Sequence, residues 1–214
     1  VKIFFIFALF LVSGTEGLAL ASELKIIALG DSTTAGTPYY RSPVESPPRG
    51  SGDEKASYPY WLGVGHPEWT VENHGVNGQR SDEIASRFEN TPMAGSVVIV
   101  LAGVNDLYQG YPSAHVKSSL RRVYETAARR KMKVVACTIL PYNESGALVR
   151  ERMGDVNAWI KRYAAENGLL YCDTHALASD SDRSGKLAGT PDGLHPDRDT
   201  YKKIGLALAD ILLK

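Results

Sequence analysis

Three residues of this chain have the types and the spacing for nucleophilic acyl transfer. Ser32 follows a short apolar run, Ile26 to Leu29, and the pair Gly30-Asp31. His195 closes the tetrapeptide Asp192-Gly193-Leu194-His195, so a carboxylate lies three residues before an imidazole. A serine hydroxyl is a weak nucleophile until a base removes its proton, and an imidazole does this well when a carboxylate fixes its tautomer. General-base help of this kind is typically worth ~10²–10⁴-fold in rate. Taken alone, Gly-Asp-Ser equally suits a turn or a helix cap. The chemical reading rests on the other motifs that accompany it.

Two further motifs supply what a tetrahedral intermediate needs. Gly75-Val76-Asn77-Gly78 and Gly103-Val104-Asn105-Asp106 each follow a segment that reads as a strand. The backbone N–H groups of Ser32 and Gly78 and the side-chain amide of Asn105 are candidate donors to an oxyanion. Losing one such donor commonly costs about 10²–10³ in rate. Glycine at 78 fits a place where backbone approaches substrate closely. Asp31 and Asp106 read as structural residues that hold their loops, and Thr33 and Thr34 as caps of the first helix. Tyr39, Tyr40, Arg41, Arg80, Tyr108 and Tyr111 lie near these motifs in sequence, as candidates for substrate contact or for packing the loops together. His66, His74, His115 and His175 show no mutual metal-ligand spacing, so no metal is expected.

The elements that must position these residues alternate along the chain. Residues 24–30, 70–75, 96–103, 134–140 and 169–174 read as five strands. Helical periods run through Val116, Leu120, Val123 and Ala127, through Val149, Met153, Val156, Ile160 and Tyr163, and through Tyr201, Ile204, Leu208 and Ile211. Alternating strands and helices imply right-handed crossovers and a parallel sheet covered on both faces. The expected fold class is therefore α/β, a three-layer α/β/α sandwich around a five-stranded parallel sheet. In such sheets ligands bind at the carboxyl ends of the strands, where all four motifs fall. Residues 37–57, rich in Pro, Gly, Ser and charge, and residues 175–191 break the rhythm as long irregular loops at that same edge.

Composition sets the remaining bounds. The 214 residues, 43% hydrophobic and 22% charged, describe one globular domain with a real core. Acidic and basic residues balance at 24 each, so no basic stripe argues for nucleic acid as a partner. Lys2, the apolar stretch 3–12 and Ala19-Leu20-Ala21 read as a secretory leader over residues 1–21, with cleavage after Ala21 and the domain following from residue 22. Ten apolar residues fall short of the ~20 that span a bilayer, so no stable membrane anchor is expected after cleavage. The localisation expected is periplasmic or secreted. Cys137 and Cys172 could pair in an exported chain; each lies in an apolar run where a buried thiol is the commoner outcome, and neither is given a catalytic role.

Taken together, Ser32, Gly78, Asn105 and His195, each in its block and in order, resemble the SGNH hydrolase superfamily of GDSL-type esterases and lipases. The resemblance spans nearly the whole chain after the leader. It implies a flavodoxin-like fold and a serine mechanism with Ser32, His195 and Asp192, without metal or organic cofactor. Gly-Asp-Ser-Thr departs from the leucine that the family name expects, and the insertion after Gly36 leaves the substrate open. The Gly-x-Ser-x-Gly pentapeptide of α/β-hydrolases is absent from the sequence. The function expected is hydrolysis of carboxylic esters, with acetyl or other short acyl esters on a small molecule or glycan preferred. Lysophospholipase or thioesterase activity, acyl transfer, and a non-catalytic carbohydrate-binding module on the same fold are the alternatives. Nothing in the sequence sets the oligomeric state.

Overall fold

The structure, a computed structural model, describes residues 23–181 and 185–214. The leader expected over residues 1–21 and the start of the domain at residue 22 lie outside the described residues. The chain runs β1 (Leu24–Gly30), α1 (Ser32–Ala35), β2 (Tyr40–Arg41), β3 (Ser51–Gly52), a short 3₁₀ turn (Glu54–Ala56) and α2 (Tyr58–Gly63). It continues through β4 (Trp69–Gly75), α3 (Ser81–Asn90), β5 (Val97–Leu101), α4 (Val104–Tyr108) and α5 (Ser113–Arg129). It ends with β6 (Lys133–Cys137), α6 (Ala147–Glu166), β7 (Leu170–Cys172), α7 (Thr174–Ala178) and α8 (Arg198–Leu212).

Five strands form one parallel sheet in the order β4-β1-β5-β6-β7, with Gly30 level with Gly75 on one side and Leu101 on the other. This is the doubly wound order in which the chain leaves β1 in both directions, and the crevice at that reversal is where such sheets bind ligands. Successive side chains of a strand point to opposite faces, so each apolar strand feeds two cores. Ile27, Leu29, Val98, Val100 and Val134 pack against α3, α5 and α6 through Phe88, Leu120 and Ile160. Ile26, Ala28, Ile99 and Val135 pack on the other face against Tyr58 and Leu62 of α2 and Tyr201, Ile204 and Leu208 of α8. Ile26, Ile27, Ala28 and Leu29 are fully buried. Covering an aliphatic side chain of this size is worth about 1.5–3 kcal/mol, so β1 is the most strongly held platform at the site.

The three long helices lie where their 3.6-residue periods predict; α2, α4 and α7 carry too few turns to show a period, and the structure adds α3, which buries Ser81, Ile84, Ala85 and Phe88 at helical spacing. Two expectations are corrected. Residues 37–57 are not an irregular loop: β2 and β3 pair as an antiparallel ribbon with Tyr40 opposite Gly52, followed by the 3₁₀ turn. The polar passage 175–191 begins inside α7 and contains an antiparallel bridge between Ser179 and Leu187. Cys137 and Cys172 face one another in register across β6 and β7 as free, buried thiols. The neighbouring Cys172 thiol, together with burial, pushes the Cys137 thiol well above its usual value, so it stays protonated and inert.

Candidate active site

Ser32 is the first residue of α1, directly after β1 and the residue Asp31. Asp31, rather than Thr33 or Thr34, caps that helix: its Oδ1 accepts from the Thr33 N–H at 2.9 Å and the Thr33 hydroxyl at 2.7 Å. The cap fixes the strand-to-helix turn and leaves the Ser32 N–H in the first turn, where no intrahelical acceptor exists. Asp31 is completely buried and its Oδ2 has no hydrogen-bond partner among the described residues. Burial pushes its carboxyl up to about 6, against the lowering effect of the two Thr33 bonds and the nearby His195.

The histidine loop meets Ser32 from the other end of the chain. Ser32 Oγ lies 3.0 Å from His195 Nε2 across 163 residues of sequence, and His195 Nδ1 lies 2.7 Å from Asp192 Oδ2. With the proton on Nδ1, the ring donates to Asp192 and accepts from the serine hydroxyl, the tautomer a general base requires. Asp192 Oδ1 also accepts the N–H groups of Leu194 at 3.0 Å and His195 at 2.8 Å. Partial burial raises the Asp192 carboxyl, but these bonds to the His195 ring and backbone outweigh it and hold the carboxyl below its usual range. Thr190 Oγ1 donates to the His195 carbonyl, and the Asn143 N–H donates to the Gly193 carbonyl, so the loop is pinned from two sides. Asp197 then caps α8 through the Thr200 N–H.

The third part of the site lies at the ends of β4 and β5. Asn105 is on α4, and one amide proton of its Nδ2 goes to the Gln79 carbonyl at 2.9 Å, leaving the other available. Gly78 has φ of +76°, a conformation that side chains disfavour, and the space above its Cα is open. A Cβ on Gly75 would lie 2.1 Å from the Ala35 nitrogen, so glycine there lets β4 run against α1. Asp106, on α4 next to Asn105, accepts both the Ser81 N–H at 2.8 Å and the Ser81 hydroxyl at 2.7 Å. This ties α3 and the turn before it to the helix that carries Asn105. Arg87 adds a third tie, donating to the carbonyls of Gly30 and His74 and to Gln79 Oε1. A hydroxyl hydrogen-bonded to an imidazole that is itself held by a carboxylate is an arrangement that can perform acyl transfer.

The candidate substrate contacts divide. Tyr39 is 46% exposed, with the Arg198 guanidinium 5.9 Å from its ring centre, and Arg198 also pairs with Asp53 of the insertion. Tyr108, on α4 beyond Asn105, is 65% exposed and meets Tyr142 edge-on. Arg41 is exposed at the end of β2. Tyr40, by contrast, is buried and its hydroxyl donates to the Arg49 carbonyl, so it packs the insertion. Arg80 is pinned to Asp82 at 3.0 Å and lies over Tyr111, whose ring also packs on His115. Among the described residues Asp82, Asp106 and His115 bring ligand atoms close together. There both Asp106 oxygens accept from Ser81 and both Asp82 oxygens from Arg80, so the carboxylates are engaged from within the protein. Arg198, Ser81, Arg87, Ser42 and Glu45 were not picked out from the sequence; each acts on a partner distant in sequence, which local spacing does not reveal.

Comparison with known proteins identifies the family and the fold. Residues 28–203 match the model of the GDSL-like Lipase/Acylhydrolase family. A member of the lipolytic protein G-D-S-L family from Veillonella parvula superposes with a TM-score of 0.73 at 20% identity, over 89% of this chain and 98% of that one. An acetyl-xylooligosaccharide esterase from Geobacillus Stearmophilus superposes at 0.70 with 20% identity, over 89% and 94% of the two chains. These likenesses show the fold. Among curated proteins, an N-acylneuraminate cytidylyltransferase from Streptococcus agalactiae is 28% identical over 136 residues, 59% of this chain. The matched segment spans only 31% of that relative's length. With the family match covering most of the chain, from before Ser32 to beyond His195, the protein belongs to the GDSL-like lipase/acylhydrolase family, within the SGNH hydrolase superfamily.

Proposed function

We propose that the protein is an exported serine esterase that hydrolyses short-chain esters, preferentially acetyl groups on carbohydrate, through an acyl-Ser32 intermediate. The observation that carries this is the unbroken hydrogen-bonded path from Ser32 Oγ through His195 to Asp192. His195 Nε2 takes the hydroxyl proton as Ser32 Oγ bonds to the ester carbonyl carbon. The carbonyl oxygen becomes an oxyanion facing the N–H groups of Ser32 and Gly78 and the free amide proton of Asn105. His195 then gives its proton to the departing alcohol as the C–O bond breaks, leaving acyl-Ser32. Water bonds to the acyl carbon as His195 takes its proton, and the second tetrahedral intermediate collapses as the C–Oγ bond breaks and His195 returns the proton to Ser32 Oγ, releasing the carboxylic acid. Asp192 stays ionised throughout and balances the imidazolium.

A short acyl group and a sugar leaving group are favoured by what surrounds Ser32. The insertion folds as a polar ribbon against the β4 edge, and the exposed faces of Tyr39 and Tyr108 are suited to stacking on sugar rings. The esterase from Geobacillus Stearmophilus, by its name, removes acetyl groups from a xylooligosaccharide, and the Streptococcus agalactiae relative is named for an acylated sugar acid. The leader read from the sequence over residues 1–21 supports export. Hydrolysis of p-nitrophenyl acetate, butyrate, octanoate and palmitate tests the reading. Rates that fall steeply beyond butyrate are expected. A maximum at octanoate or longer would keep the serine chemistry and move the substrate to lipids or acyl thioesters, and no hydrolysis of any ester would favour a binding module.

A further inference from the structure

The insertion is bonded to the turn that presents Gly78, and the reaction as written makes no use of that bond. Ser42 is fully buried and donates from its hydroxyl to the Gly75 carbonyl at 2.6 Å. Glu45, four residues from β2, accepts the Asn77 N–H on Oε1 at 2.8 Å, and its other oxygen faces the Ser42 N–H at 3.4 Å. The rest of the turn is also accounted for. The Val76 N–H donates to the Gly30 carbonyl, the Gln79 N–H to the Val76 carbonyl and the Arg80 N–H to Glu83. The Gln79 carbonyl accepts from Asn105. Between Val76 and Arg80, the Gly78 N–H is therefore the one amide without an acceptor among the described residues.

Backbone N–H groups seek partners, and a turn keeps one free only when its neighbours are held elsewhere. The peptide before Asn77 is fixed at its N–H by Glu45 and at its carbonyl by Gln79, while Asn105 fixes the peptide after Gln79. Arg87, whose guanidinium attracts Glu45, bonds the same turn through Gln79 Oε1. We propose that Glu45 is a positioning residue for the oxyanion site: by holding Asn77, its carboxylate sets the aim of the Gly78 N–H. This rests on the reading of Gly78 as an oxyanion donor. It gives the insertion a role in rate as well as in substrate contact.

Misaiming one donor weakens binding of the tetrahedral species and leaves ground-state binding nearly alone. The test uses the whole chain as wild type, Glu45→Ala, Glu45→Asp and Glu45→Gln, with p-nitrophenyl acetate as substrate and phenylboronic acid as the tetrahedral mimic on Ser32. For Glu45→Ala and Glu45→Asp, whose shorter side chain withdraws the oxygen, kcat is expected to fall ~10-fold or more with KM within about twofold. The boronate Ki is expected to rise by the same factor. Glu45→Gln keeps an acceptor oxygen in place and is expected to recover to within about threefold of wild type. If Glu45→Ala does not fold, the Asp and Gln pair carries the same comparison. Unchanged kcat in Glu45→Asp, or a fall in which the boronate Ki does not share, overturns the proposal while leaving Ser32 as nucleophile. A wild type inert toward every ester overturns the reading of Ser32, and this inference with it.

Discussion

Ser32 and Gly78 sit at the ends of neighbouring strands, yet the protein holds them by different means. Ser32 is fixed by regular structure. β1 is hydrogen-bonded on both sides, its four apolar residues are buried, and Asp31 caps the helix that Ser32 begins. Gly78 lies in a turn fixed by side chains from distant segments: Ser42 and Glu45 from the insertion, Arg87 from α3, Asn105 from α4, with Asp106 holding Ser81 just beyond. On the proposed reading, the nucleophile is held by the fold and its oxyanion partner by a side-chain network. Networks of this kind lose function through single substitutions that leave the core intact.

The largest effect that sharpens this contrast is expected at Asn105. Asn105→Ala removes an oxyanion donor and the clamp on the Gln79 carbonyl together, so kcat should fall by about 10²–10³ with a small change in KM, read from steady-state kinetics. An equal rise in KM would place Asn105 in ground-state binding instead.

The next effect concerns the rigid side. Asp31 is buried with its carboxyl raised to about 6 from an ordinary 3.8, so the native state holds its proton more tightly than the unfolded chain does. The stability this contributes is fully present below about pH 4 and lost as pH rises through about 6, a change of roughly 3 kcal/mol. Asp31→Asn keeps an acceptor for Thr33 and removes the titration. Urea unfolding of the two proteins across that window should show their stability difference shifting in favour of the variant as pH rises. Parallel curves would contradict it. The smallest effect is expected in the insertion, where Ser42→Ala leaves the Gly75 carbonyl without its donor and should cost about 1 kcal/mol in the same assay.

The same contrast decides what could be read from the sequence. Elements whose pattern is local were legible: β1 appears with its observed bounds, and the long helices follow from their apolar periods. The short blocks that carry Ser32, Asp192 and His195 were also visible, and the structure brings these three side chains into contact. What was not legible depends on partners far away in the chain. Ser81 and Asp106 are 25 residues apart, Glu45 and Asn77 are 32 apart, and neither pair leaves a periodic trace. The ribbon of residues 37–57 was hidden for a related reason: two-residue strands are too short to alternate, and their Pro and Gly content reads as loop. Arg198 belongs to the same class: its partners Tyr39 and Asp53 lie in the insertion, far away in the chain.

The central claim is that His195 and Asp192 activate Ser32 as a nucleophile. Incubating the folded protein with a fluorophosphonate and mapping the adduct by peptide mass spectrometry tests it most directly, because only an activated serine reacts. The account predicts one adduct per chain, on Ser32, with ester hydrolysis lost in proportion to labelling and both absent in Ser32→Ala. Ester hydrolysis that persists in Ser32→Ala, or a folded wild type that hydrolyses esters with Ser32 unlabelled, would contradict it.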